Sequence, residues 1–72
     1  MRLSPILERV CREYGTTPES ITHGYLDLNQ RALGRVIRLA RRELSMSQQE
    51  IATEVGVSRY TVLKIARKYP LG

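Results

Sequence analysis

Arg31, Arg35, Arg38 and Arg42 recur at spacings of four, three and four, which stacks four guanidiniums along one side of a helix. No glutamate stands at i±4 on that face, so the four charges repel until an anion lies along them, and phosphate is the evident candidate. The alternative is a solvated face held by helix propensity alone. Other chemistry is poorly supplied. Cys11 falls within an apolar stripe and reads as a small buried thiol. His23 is the single histidine and reads as a loop or helix-end residue. One cysteine and one histidine at these positions assemble no metal site, and no nucleophile has a base at a suggestive spacing. The chain is therefore expected not to be an enzyme, with no catalytic residue, no metal and no cofactor.

The stretch 47–69, SQQEIATEVGVSRYTVLKIARKY, supplies the element around which the rest is organised. Ser47 and Glu50 form the S-x-x-E capping box that starts a helix running to about Val55. Gly56 stands where the chain must leave that helix in a left-handed conformation. Ser58 caps a second helix that runs to Tyr69, where Pro70 stops it. Ile51, Ala52 and Val55 face Val62, Ile65 and Ala66, while Val57 plugs the turn. Left over at the front of the second helix are Ser58, Arg59, Tyr60, Thr61 and Lys64.

This pair resembles the helix-turn-helix of bacterial repressors and activators, in which the second helix enters the major groove and its first side chains meet base edges. The resemblance implies base reading by Ser58, Arg59, Tyr60, Thr61 and Lys64. Phosphate contacts are then expected from Arg31, Arg35, Arg38, Arg42, Gln48, Arg67 and Lys68. A helix pair of this shape also serves as scaffold or as a protein-binding module.

The chain has 72 residues and a net charge of +5. That length suits one domain (1–72), with 1–44 as supporting helices and 47–69 as the helix-turn-helix, near the size where a single core is marginal. One cysteine forms no internal disulfide, which fits a reducing cytoplasm. No long apolar run offers a membrane span, and the first residues lack the apolar core of a signal peptide. Up to residue 28, three arginines face four acidic residues, a net of −1; beyond it, nine Lys or Arg face three glutamates, a net of +6. The basic part contains the helix pair, as expected for a polyanion partner.

Upstream, Ser4 and Pro5 read as N-cap and first helical residue, and Ile6, Leu7, Val10, Cys11 and Tyr14 share a face before Gly15 ends the helix. Thr17-Pro18-Glu19-Ser20 opens a short helical turn that His23-Gly24 breaks. Tyr25, Leu26 and Leu28 are expected to tuck under the third helix. Asp27 and Gln30 read as a second capping pair, and the helix should run over 28–44 with Leu33, Val36, Ile37, Ala40 and Leu44 as its core face. Gly34 inside it costs about 1 kcal/mol relative to alanine and suggests a close approach. Met46 reads as a gap filler.

Taken together, VCREYGTTPESI, the long basic helix ending LARREL, QQEIA and TVLKIARK resemble the C-terminal DNA-binding domain of the bacterial replication initiator DnaA. In that family a short helix pair precedes a long helix and a helix-turn-helix that reads the initiator's box. The resemblance implies that Arg59, Tyr60, Thr61 and Lys64 face the groove and that Arg31 and Arg35 lie in the basic region beside it. The family's turn, GGRDHTTV, is here the shorter GVSRYTV, so a different target sequence is expected.

The sequence thus predicts an all-α domain of four or five helices ending in a helix-turn-helix. Its expected function is sequence-specific binding of double-stranded DNA, as a small bacterial or phage transcriptional regulator. Two other classes stay open: a DNA-recognition module of a replication or recombination system, and a helical protein-interaction domain that binds no DNA. Leu63 and the run Tyr69-Pro70-Leu71 are expected to be exposed apolar groups, which would suit a homodimer or a protein partner on DNA.

Overall fold

The structure is a computed structural model that describes residues 2–23 and 26–70. Within them the chain is all-helical: α1 (Ser4–Tyr14), α2 (Pro18–His23), α3 (Asp27–Glu43), α4 (Gln48–Val55) and α5 (Arg59–Lys68). α3 packs against each of the other four helices. Its buried positions, Ala32, Leu33, Val36, Ile37, Leu39 and Ala40, consequently span a wider arc than one apolar stripe. Ala32 and Leu39 fall outside the core face expected from spacing, and Leu44 is half-buried.

α1 buries Ile6, Leu7, Val10 and Cys11. Its N-cap is Leu3, one residue before the expected Ser4, and no side chain caps it; Gly15 closes it in a left-handed conformation at φ 65°. Burial pushes the Cys11 thiol pKa up, which leaves it an inert core group. Thr16 donates its hydroxyl to Asn29 Oδ1 at 2.6 Å, satisfying a polar side chain that α3 buries.

α3 begins differently from the expected capping pair. Leu26 occupies the N-cap position without a side-chain bond, and Asp27 lies inside the first turn. Leu26, 69% exposed, and Leu28 do not tuck under the helix. Tyr25, Gly24 and Leu71 lie outside the described residues. As the first helical residue, Asp27 does not occupy the cap position; its carboxylate accepts the Tyr69 hydroxyl and pairs with Arg31 at 2.8 Å. Gln30 accepts the Lys68 ammonium at 3.2 Å.

The α4–α5 pair follows its local sequence closely. Ser47 Oγ accepts the Glu50 N–H at 3.1 Å and Glu50 Oε1 accepts the Ser47 N–H at 3.0 Å, which completes the capping box. Gly56 has φ 86°, a conformation that strains any residue carrying Cβ. Ser58 Oγ accepts the Thr61 N–H at 3.0 Å and caps α5, which starts after the three residues 56–58 that follow α4. Ile51, Ala52, Val55, Val62 and Ile65 are buried between the pair and the rest of the core. Burying Ile51 or Ile65 stabilises the fold by about 1.5–3 kcal/mol each relative to exposure. α5 ends at Lys68, one residue before the expected Tyr69.

The N-terminal residues brace α4 from below. Leu3 donates its N–H to Glu54 at 3.3 Å, while Arg2 donates to the Leu44 carbonyl at 2.9 Å and lies 3.6 Å from Glu50. Arg9 and Glu43 join α1 to the end of α3 at 3.0 Å.

Candidate nucleic-acid interface

Tyr60 is 71% exposed in the first turn of α5, and Arg59 and Lys64 beside it are also exposed. Their direction follows from the helix period: Val62 and Ile65 turn inward, so the residues at 60 and 64 lie on the far side of α5. Among the described residues, Arg59, Tyr60 and Lys64 make no hydrogen bond, ion pair or ring contact. An unpaired guanidinium, ammonium and phenol on adjoining positions can donate to anionic or carbonyl oxygens, and the phenol ring adds an apolar surface.

Ser58 and Thr61 are differently placed. Their hydroxyls lie 2.9 Å from one another, and Ser58 is also committed to capping. Thr61 is half-buried. Both remain at the front of α5, with part of their hydrogen-bonding capacity already used.

The arginine stripe of α3 is less uniform than its spacing suggests. Arg31 is neutralised by Asp27, an acidic partner four residues earlier, so that end of the stripe is not bare charge. The Tyr69 hydroxyl and, after it, the Arg31 charge hold the Asp27 pKa below its ordinary value. Arg38 donates to the Pro70 carbonyl at 2.8 Å. Arg35 and Arg38 are half-buried, and at Arg38 the stripe borders α5, which packs on the side of α3 carrying Gly34. Arg42 remains exposed and unpaired among the described residues.

Of the other expected phosphate contacts, Arg67 is exposed, whereas Gln48 is half-buried at the start of α4. Lys68 bonds Gln30 and sits 5.4 Å from the Tyr69 ring centre. Tyr69 is half-buried against the core, not an exposed apolar end, and Leu63 is also half-buried. Sequence spacing also passed over Arg41, which is exposed and joins Arg38 and Arg42 along one groove. Its signal was the Arg41-Arg42 pair itself, which lies off the four-three-four line.

Among the described residues the fold is a small bundle of five helices whose last two are joined by a tight turn, with a basic, partly aromatic front on the second. The chain matches no protein-family model, no curated protein and no solved structure. Among the described residues no helix is long and apolar enough to cross a membrane.

Proposed function

We propose that this chain binds double-stranded DNA sequence-specifically, with the front of α5 in the major groove and the exposed basic side chains of α3 and α5 on the flanking phosphates. The observation that carries the reading is the outward set Arg59, Tyr60 and Lys64 on a helix whose start is fixed by the Ser58 cap. An α-helix with its side chains is ~10–12 Å across, close to the ~12 Å width of the B-DNA major groove. Arg59 and Lys64 suit guanine O6 and N7, and the Tyr60 ring suits a thymine methyl or sugar. Arg42 and Arg67 supply phosphate charge that the fold leaves uncompensated. The role is that of a small transcriptional regulator of bacterial or phage origin; a DnaA-like recognition module serving replication uses the same surface.

Selection of bound sites from random duplex DNA tests this. An enriched motif is expected, as an inverted repeat for a dimer or a single element for a monomer. A selection without enrichment, together with no salt-dependent duplex binding, overturns the proposal.

A further inference from the structure

A second basic feature lies beside α5 and differs in kind from its outward front. Gly34, Ile37, Arg38, Arg41 and Arg42 of α3, with Ala66, Tyr69 and Pro70 at the end of α5, line an open groove of about 470 Å³. Its floor is apolar: Ile37 is nearly inaccessible, and Ala66 and Tyr69 are half-buried. Gly34 lets α5 lie close against α3 here, and the small Ala66 side chain also lines the groove. Arginines occupy the rim. Arg38 is anchored through one guanidinium nitrogen to the Pro70 carbonyl at 2.8 Å and keeps its remaining N–H groups, while Arg41 and Arg42 have no partner among the described residues.

We infer that this groove takes a short acidic peptide segment of a protein partner, with one apolar side chain on the floor and flanking carboxylates on Arg38, Arg41 and Arg42. Charge complementarity selects the sign of the occupant, since no acidic residue lines the groove. The apolar floor selects its class. Phosphates of a duplex satisfy rim arginines but have no apolar body to displace water from the half-buried Ala66 and Tyr69, whereas Leu or Phe of a peptide does. Carboxylates meet guanidiniums in a bidentate fork, so a rim of arginines gives orientation as well as attraction. The inference shares Arg42 with the phosphate contacts proposed above but does not rest on base reading by α5.

The test is a titration of the folded chain with the peptide Glu-Asp-Phe-Asp-Glu-Leu-Glu-Asp, followed through backbone amide resonances, beside a mixed-sequence DNA duplex in a separate titration. The expected result is saturable movement of the Gly34, Ile37, Ala66 and Tyr69 amides by the peptide. The double variant Arg41→Ala, Arg42→Ala should weaken the peptide ~tenfold or more, the scale of lost charge-assisted hydrogen bonds. Arg12→Ala, which removes an exposed charge on α1, should not. Ala66→Gln fills the floor without altering charge and should weaken the peptide as well, with unchanged α1 and α2 resonances reporting that the fold persists. The proposal is overturned if the peptide moves no groove amide, if it moves the amides of Arg59 to Lys64 instead, or if Arg12→Ala weakens it as much as the double variant. Groove amides that respond to the duplex and not to the peptide also overturn it and assign the groove to nucleic acid. Duplex binding through α5 is read from its own titration, so either result stands without the other.

Discussion

A Cβ added to Gly34 on α3 would stand 3.1 Å from the Tyr69 Cβ at the end of α5 and 3.5 Å from Ile65 Cγ2. The absent side chain is what allows α5 to lie against α3, and Tyr69 then reaches Asp27 with its hydroxyl. Gly34→Ala sets a propensity gain of about 1 kcal/mol against a contact that a backbone-bound Cβ must relieve by shifting. Its expected net effect is small. Gly34→Val adds two further carbons at that contact and is expected to destabilise by ~1–3 kcal/mol. Urea midpoints of the two variants check this; equal midpoints for wild type and Gly34→Val would refute the close approach.

The Ser47 cap should matter more than its surface position suggests. Ser47→Ala removes the acceptor for the Glu50 N–H and is expected to cost about 1 kcal/mol, read from the same denaturation. Acid adds a second signature. Hydrogen bonding from the Ser47 backbone N–H holds the Glu50 carboxyl below its ordinary value of 4.5. A depressed folded pKa contributes stability that is complete above the unfolded value and lost as pH falls through the folded one. Glu50→Gln should therefore flatten the fall in thermal midpoint from pH 4.5 downward, and an unchanged acid limb would count against the capping bond.

Salt dependence follows from the charges on α3 and α5. If about five to eight basic side chains meet phosphates, log K should fall against log salt with a slope of roughly −4 to −7. The shallower end is expected, because the Arg31 charge is already paired with Asp27. A slope near zero is incompatible with duplex binding by this surface.

Arg59→Ala should cost ~1–3 kcal/mol at a selected site and blur one or two base positions. Arg35→Ala or Arg42→Ala should weaken all duplexes alike. Binding profiles over a library of single-base variants separate the two patterns. If Arg35→Ala changes the preferred motif and Arg59→Ala does not, α5 is not the reading element.

Tyr60 discriminates the nature of its own contact. A hydroxyl bond to DNA is lost in both Tyr60→Phe and Tyr60→Ala, and a ring contact with a thymine methyl or sugar only in Tyr60→Ala. No cation–π pair within the fold occupies the ring among the described residues, so its removal should leave stability within about 0.5 kcal/mol. Duplex affinity unchanged in Tyr60→Ala, with an intact fold, removes Tyr60 from the interface.

The sequence by itself determined the all-helical class and the capped start, turn and facing stripes of the last pair, because the signals there are local, whereas it left the count at four or five helices. Ser47 with Glu50, Gly56 and Ser58 each act on backbone groups within three or four residues, so their meaning survives without knowledge of the fold. The outward position of Tyr60 was equally legible, since Val62 and Ile65 fix the phase of α5 over a single turn. What faces what between helices was decided by tertiary structure alone. Asp27 read as a cap because Gln30 follows at the right spacing, but Leu26 stands at the cap position and the Asp27 carboxylate accepts the hydroxyl of Tyr69, distant in sequence. The arginines of α3 read as one line along a single side, suited to phosphate, yet α5 packs along its edge, pairs Arg38 with Pro70 and groups it with Arg41 and Arg42 around an apolar floor. Periodicity tells which residues share a side of one helix. The partner on that side depends on long-range packing, and in this chain it depends on a missing Cβ at Gly34.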